Sequence, residues 1–208
     1  MKKIISQATI DRLPLYFRTL RLAEDEEITI ISSEELGRRL DITPEQIRKD
    51  LATFGQFGRK GIGYDVSELK DRISNILGLQ NQWKLAIVGV GHLGGALANY
   101  VNFAPLGFSV VALFDSNKEI IGTLINGIKV KNITTLKKTV ESRKIDIGVI
   151  SVPDYAAQSV ADALVDAGIK GIWNFAPTKL NVPPTIPLVN EDLSIGLSAL
   201  SYHMSSSE

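Results

Sequence analysis

The stretch Leu85-Ala86-Ile87-Val88-Gly89-Val90-Gly91-His92-Leu93-Gly94-Gly95-Ala96-Leu97 runs from a continuous apolar strand into a helix through glycines spaced G-x-G-x-x-G. In such a turn the first glycine permits the tight bend. The second lets the backbone come close to a pyrophosphate, and the third lets helix and strand pack together. The pyrophosphate then rests on N–H groups at the start of a helix, which have no partner within it. A second apolar run, 109–114, ends at Asp115, twenty positions after Gly95. A carboxylate there would accept hydrogen bonds from a ribose 2′-hydroxyl and repel a 2′-phosphate, which favours NAD(H) over NADP(H).

Outward from this motif the chain reads as strand 84–90, helix 93–102, strand 109–114, a strand near 128–130, helix 134–142, strand 145–152, helix 154–167 and strand 170–175. Strands alternating with helices predict a parallel, doubly wound sheet covered on both faces. Right-handed crossovers bring the C-terminal ends of the strands to one rim. At that rim lie Gly89, Val90, Gly91, His92, Leu93 and Gly94, then Asp115, then Ser151, Val152 and Pro153, and finally Asn174 and Phe175. His92 occupies a variable position of the loop and reads as filler, because no paired acid or orienting arginine is evident beside it.

Residues 1–80 have a different character. Leu13, Tyr16, Phe17, Leu20 and Leu22 form an apolar stripe on a first helix, with Pro14 tolerated near its start. A short β-branched segment, 28–31, precedes a helix opened by Ser32 or Ser33, with Glu35 at capping-box spacing from Ser32. The next helix opens with Thr43 as cap, Pro44 in the first position and Gln46 closing the box. Two helices joined by a turn at Asp41-Ile42 predict a helix-turn-helix whose second helix enters a major groove. Ile47, Leu51 and Phe54 would face the core, leaving Gln46, Arg48, Lys49 and Thr53 for bases and phosphates. The glycine-rich stretch 54–64, centred on Arg59 and Lys60, reads as a wing, and Ser67 as the cap of a fourth helix. Asp50 and Asp65 read as local salt-bridge or turn groups. The expected division is a DNA-binding domain 1–80, a nucleotide domain 83–180 and a C-terminal arm and helix 181–208.

In that last segment Pro183, Pro184 and Pro187 stiffen an extended arm. Leu193, Leu197, Leu200, Tyr202 and Met204 then mark an amphipathic helix begun by Glu191 and Asp192, which can pack on its own domain or on another protomer.

The 208 residues hold 23 basic and 23 acidic side chains, so any DNA-binding surface must arise from local charge. The chain has no cysteine and two histidines, which argues against disulfides, thiolate catalysis and a metal centre. No segment reaches the roughly 18 apolar residues of a spanning helix, and the chain reads as soluble and cytoplasmic. The alternative reading is a small NAD-dependent dehydrogenase with an accessory helical domain. It leaves little chain for a substrate domain and names no catalytic group.

Arg48-Lys49-Asp50-Leu51, Phe54-Gly55 with its wing, the glycine loop, Gly168-Ile169-Lys170-Gly171-Ile172 and Asn174-Phe175-Ala176-Pro177 occur in one order along the chain. In these motifs the sequence resembles the Rex redox-sensing transcriptional repressors of bacteria nearly from end to end. The resemblance implies a non-enzymatic homodimer that binds palindromic double-stranded operator DNA and represses genes of fermentation and anaerobic respiration when NADH is low relative to NAD+. NADH binding would release the DNA. It also implies that the C-terminal helix is exchanged between protomers, reaching the partner's nicotinamide, with Tyr100, Asp192 and Leu193 near that ring and Asp192 switching partners between cofactor states. The residues assigned to DNA by this reading are Tyr16, Ser32, Ser33, Thr43, Gln46, Arg48, Lys49, Thr53, Phe54, Gly55, Arg59 and Lys60. Two positions depart from the family pattern: the common wing arginine falls at Lys60, and Leu193 stands where some relatives carry phenylalanine.

Overall fold

The computed structural model describes residues 5–58 and 61–205, and the chain divides into two compact units, Met1–Asn81 and Gln82–Glu208. The first unit is built from α1 (Gln7–Asp25), β1 (Ile30–Ile31), α2 (Ser33–Leu40), α3 (Pro44–Phe54), β2 (Tyr64–Asp65) and α4 (Val66–Ile76). Its core joins Leu13, Tyr16 and Leu20 of α1 to Leu36, Ile47, Leu51, Leu69 and Ile73. Each such aliphatic side chain removed from water contributes roughly 1.5–3 kcal/mol.

Local chemistry sets the ends of these helices. Ser32 accepts a hydrogen bond from the Glu35 amide at 3.0 Å, and Thr43 accepts one from Gln46 at 3.3 Å, as the capping spacings predict. Asp41 takes a left-handed conformation (φ 54°) that ends α2 and turns the chain into α3. The fourth helix is capped differently from expectation. Asp65, not Ser67, accepts from the Glu68 amide at 2.8 Å, because α4 begins at Val66. Pro14 also lies deep in α1 rather than near its start. It sits on the exposed face, where the Ile10 carbonyl that loses its helical donor can be hydrated. The returning limb of the wing, β2, pairs antiparallel with β1. The wing tip, Arg59 and Lys60, lies outside the described residues.

In the second unit the strands are β3 (Trp83–Val88), β4 (Phe108–Asp115), β5 (Leu124–Ile125), β6 (Ile128–Asn132), β7 (Ile147–Ile150), β8 (Gly171–Asn174) and β9 (Leu188–Asn190). The helices are α5 (His92–Ala98), α6 (Leu136–Arg143), α7 (Asp154–Asp166) and α8 (Leu193–Ser205). Among the described residues the strands form one sheet in the order β5-β6-β4-β3-β7-β8-β9, parallel except for β5. The period of two along β3 explains the burial on both faces. Ala86 and Val88 pack with Leu136, Val140 and Leu164 of α6 and α7, whereas Leu85 and Ile87 pack with Ala98 of α5 on the opposite side.

The chain proceeds from β3 to β4 on one side and later returns to β7 on the other, which opens a crevice at the carboxyl ends of β3, β4 and β7. The sheet also gains an edge that sequence reading treats as arm. Beyond the prolines, Leu188, Val189 and Asn190 pair in parallel with Ile172, Trp173 and Asn174.

Candidate nucleotide site and DNA-reading surface

At the end of β3 the backbone turns at Gly89 with φ 89°, a value that disfavours any side chain, and a Cβ there would lie 2.6 Å from the Ser151 carbonyl oxygen. At Gly94, in the first turn of α5, a Cβ would lie 2.0 Å from the Gly89 carbonyl oxygen. These two glycines are demanded by the protein's own packing. Gly91 is not. Its φ of −72° suits any residue and a Cβ would meet no atom within 4 Å, so the space above it is open.

That space belongs to a cavity of about 610 Å³ lined by Gly89, Gly91, Leu93, Asp115, Val152, Pro153 and Phe175, all expected from the sequence. Ser151, placed at the rim by the sequence, lines it too, as do Ser116, Asn117 and Tyr155, which the sequence did not assign. Ser151 has a clear task. Its hydroxyl donates to the Gly89 carbonyl at 2.8 Å, and its amide donates to Val88 at 2.9 Å, locking β7 to the glycine turn. The two groups are 62 residues apart, so the end of its strand marked Ser151 for the rim but no local signal could have shown this bond.

Asp115 stands at the end of β4, as its twenty-residue spacing predicts. One carboxylate oxygen accepts from the Val90 amide at 2.7 Å and the other from the Asn117 amide at 2.8 Å. Each oxygen keeps a further lone pair for a hydroxyl donor, and the residue lines the cavity. Val90 is buried and contributes its amide rather than its side chain; His92 is exposed on α5.

Four residues expected at the cofactor, Asn174 from the rim and Tyr100, Asp192 and Leu193 from the family resemblance, do not line the cavity. Asn174 is buried, and its side chain donates to the Ala176, Thr178 and Asn190 oxygens at 2.9–3.2 Å while accepting from the Ala176 amide at 3.0 Å. With its hydrogen bonds made inside the protein, it fixes the turn after β8 and the edge strand β9 rather than reaching a ligand. Tyr100 is half exposed and lies outside the cavity lining, packed edge-on against Phe103 with ring centroids 4.9 Å apart. Asp192 caps α8, accepting from the Ser194 amide at 2.8 Å and hydroxyl at 2.6 Å, which lower its carboxyl below the usual range. Leu193 is 66% exposed, and neither it nor Asp192 lines the cavity.

In the first unit a groove of about 720 Å³ lies between α3 and the wing, bordered by Ser32, Ser33, Glu34, Arg48, Gly55 and Tyr64. Arg48 and Lys49 are exposed on α3. The Arg48 guanidinium donates to the Ser33 hydroxyl at 2.6 Å, Glu45 at 2.8 Å and Glu34 at 3.3 Å. Thr53 donates back to the Lys49 carbonyl at 3.0 Å, Phe54 packs partly on the core, and Gly55 ends the helix at φ 139°.

Tyr16 does not belong with this set. It is fully buried, and its hydroxyl donates to Asp50 at 2.6 Å, so the apolar stripe to which it belongs faces inward and keeps it from DNA. Gln46 is half committed to the same acid, donating to it at 2.8 Å. Asp50 itself is the expected salt-bridge group, receiving Arg12 at 2.6 and 2.8 Å.

Among the described residues no group of acids and histidines is placed to hold a metal ion, and no helix is long and apolar enough to cross a membrane. Residues 80–178 match the family described as CoA binding domain, and residues 4–52 the family described as "Putative DNA-binding protein N-terminus". Across 207 residues the chain is 47% identical to the redox-sensing transcriptional repressor Rex of Clostridium botulinum, covering 100% of this chain and 99% of that protein. Identity to the Brevibacillus brevis protein of the same name is 43% over 200 residues, 96% and 97% of the two chains. Its fold matches the crystal structure of RSP in complex with β-NAD+ and operator DNA with a TM-score of 0.93 at 42% identity, covering 99% of this chain and 95% of that one. RSP in complex with β-NADH gives 0.92 at 40%, covering 99% and 97%. The chain belongs to the Rex family of redox-sensing transcriptional repressors.

Proposed function

We propose that this chain is a cytoplasmic transcriptional repressor that binds operator DNA through its N-terminal unit and reads the NADH-to-NAD+ ratio through the nucleotide cavity. The observation that carries the reading is Gly91: packing does not require a glycine there, yet the position opens onto the cavity at the switch point of the sheet. A pyrophosphate is the group that such an opening admits. Asp115 would hold the adenosine ribose, Ser151 would keep the glycine turn in shape, and Val152, Pro153 and Phe175 would wall the cofactor. Arg48 and Lys49 would face the operator, with Ser32, Ser33, Thr43 and Thr53 toward its phosphates, and Tyr100, Asp192 and Leu193 would act at the nicotinamide end.

The protein works as a homodimer in this reading. Helix α8 has no buried residue, and Leu193, Ile195, Leu197, Leu200, Tyr202 and Met204 are each more than half exposed. Such a face is covered most naturally by a second protomer with which the helix is exchanged. NADH then favours a dimer whose two recognition helices no longer match successive major grooves, roughly 34 Å apart. The nucleotide is read rather than consumed.

The test is a duplex selected from a random library by the protein itself, titrated with NADH and NAD+ separately. Release by NADH at concentrations where NAD+ leaves the complex intact is expected. Equal effects of the two, or steady NADH oxidation with a carbonyl substrate, would overturn the reading. Arg48→Ala should weaken the selected duplex at least about tenfold, since a good base contact is worth ~1–3 kcal/mol, with NADH affinity unchanged. Asp115→Ala should lower NADH affinity and narrow the preference for NADH over NADPH by about tenfold or more; an unchanged preference in paired titrations would place cofactor selection elsewhere.

A further inference from the structure

The recognition helix carries its single arginine between two carboxylates. Arg48 meets Glu45, one turn before it on α3, at 2.8 Å, and Glu34, in the first turn of α2, at 3.3 Å, with the Ser33 hydroxyl at 2.6 Å. Both acids are largely exposed, so the pairs add little stability. Their weight falls on charge instead. Glu34 and Glu45 cancel the charges of Arg48 and Lys49 on the very face that would meet DNA.

We propose that Glu34 and Glu45 are selectivity-determining residues, which hold Arg48 away from phosphates while leaving it free to read a base. This rests on the operator-binding reading above. A guanidinium has five N–H donors, and the clamp uses three of them. The remaining two are the number that a bidentate contact to the O6 and N7 of guanine requires. The closed clamp therefore leaves Arg48 enough donors for a guanine edge. To serve a phosphate as a free cation it must leave two carboxylates, which themselves repel the backbone. Non-specific affinity is built from phosphate neutralisation, so the clamp lowers it more than it lowers affinity for the operator. It also holds the guanidinium pointed before DNA arrives, which an unclamped arginine would have to achieve on binding.

The experiment measures the full-length Glu34→Gln/Glu45→Gln variant, with Glu141→Gln/Asp166→Asn in the other unit as a net-charge control, against the selected duplex and a scrambled one over a range of salt concentrations. The double variant should bind the scrambled duplex about fivefold more tightly at low salt, with a log–log salt slope steeper by about 0.9, one additional phosphate neutralised. Affinity for the selected duplex should rise less or fall, so the specificity ratio drops, while the control changes neither. An equal rise on both duplexes, or no change on either, overturns the proposal. A fall on the selected duplex alone also overturns it, because the acids would then be reading bases themselves. Circular dichroism and NADH titration establish that the variant is folded. If the wild type shows no preference for any sequence, the operator-binding reading fails first, and that result is distinguishable from the others.

Discussion

Gly91→Ala should leave the protein as stable as the wild type, within about 0.5 kcal/mol, and lower its affinity for NADH about 100-fold, or ~3 kcal/mol. The two halves of this expectation come from one geometry. The backbone at Gly91 (φ −72°, ψ −156°) is open to any residue, and an added Cβ touches no atom of the chain within 4 Å. The methyl group would therefore stand in the volume reserved for the ligand, where the backbone otherwise comes into contact with the pyrophosphate. Gly94→Ala is the necessary contrast. There the Cβ would lie 2.0 Å from the Gly89 carbonyl oxygen and 2.8 Å from the Ser151 hydroxyl, so the loop itself must deform. That variant should lose both nucleotide affinity and stability, by ~1–3 kcal/mol. Thermal melts and fluorescence titrations of both proteins separate a glycine kept for a ligand from one kept for packing. In the proposed repressor, Gly91→Ala should still bind its operator and no longer be released by NADH. Undiminished NADH affinity in Gly91→Ala would remove the nucleotide from this loop.

The contrast between these glycines also shows where sequence reading succeeds and where it stops. The motif spacing located the turn and Asp115, because both follow from local strand–helix geometry. It also gave Gly91 to the ligand and Gly94 to packing, but not the atoms they meet, since those opposed to Gly89 and Gly94 include Ser151, far along the chain. Capping was legible at Ser32 and Thr43. At α4 the D-x-x-E spacing of Asp65 and Glu68 was equally visible, but it competed with a serine two residues later. Edge strands were the least legible. Leu188, Val189 and Asn190 follow three prolines and make a strand only because β8 offers an unpaired side. Tyr16 fitted an apolar stripe and a DNA-facing set at once, and burial decided for the stripe.

What draws Tyr16 inward is Asp50, and Asp50→Asn should be the most damaging single change in the N-terminal unit. The acid lies on α3 beside Arg48 and Lys49, but its side chain is buried and faces α1. It accepts two hydrogen bonds from Arg12, at 2.6 and 2.8 Å, with others from Tyr16 at 2.6 Å, Gln46 at 2.8 Å and Thr9 at 3.2 Å. Asparagine keeps the volume, loses the charge and turns an NH2 toward groups that are all donors. Breaking such a buried pair costs about 3 kcal/mol, the lower end of its range because Arg12 reaches water, and this unit's melting transition should fall roughly 10–20 °C. Operator affinity should fall with it, since this hub sets the angle at which α3 is presented. The pH dependence identifies the cause. Burial pushes the Asp50 carboxyl up, but the hydrogen bonds from Arg12, Tyr16 and Gln46 outweigh it and hold the group down at about 2. A carboxyl lowered on folding stabilises the protein fully above its unfolded value near 4 and loses that contribution as pH falls toward 2, here about 2 kcal/mol. Other lowered acids, such as Glu35, titrate in both proteins and cancel in the difference. The gap in stability between wild type and Asp50→Asn should therefore be constant from pH 7 to about 5 and narrow steadily below 4. A gap that stays constant to pH 2.5 would mean that Asp50 acts through shape alone, and that its charge does not hold the recognition helix in place.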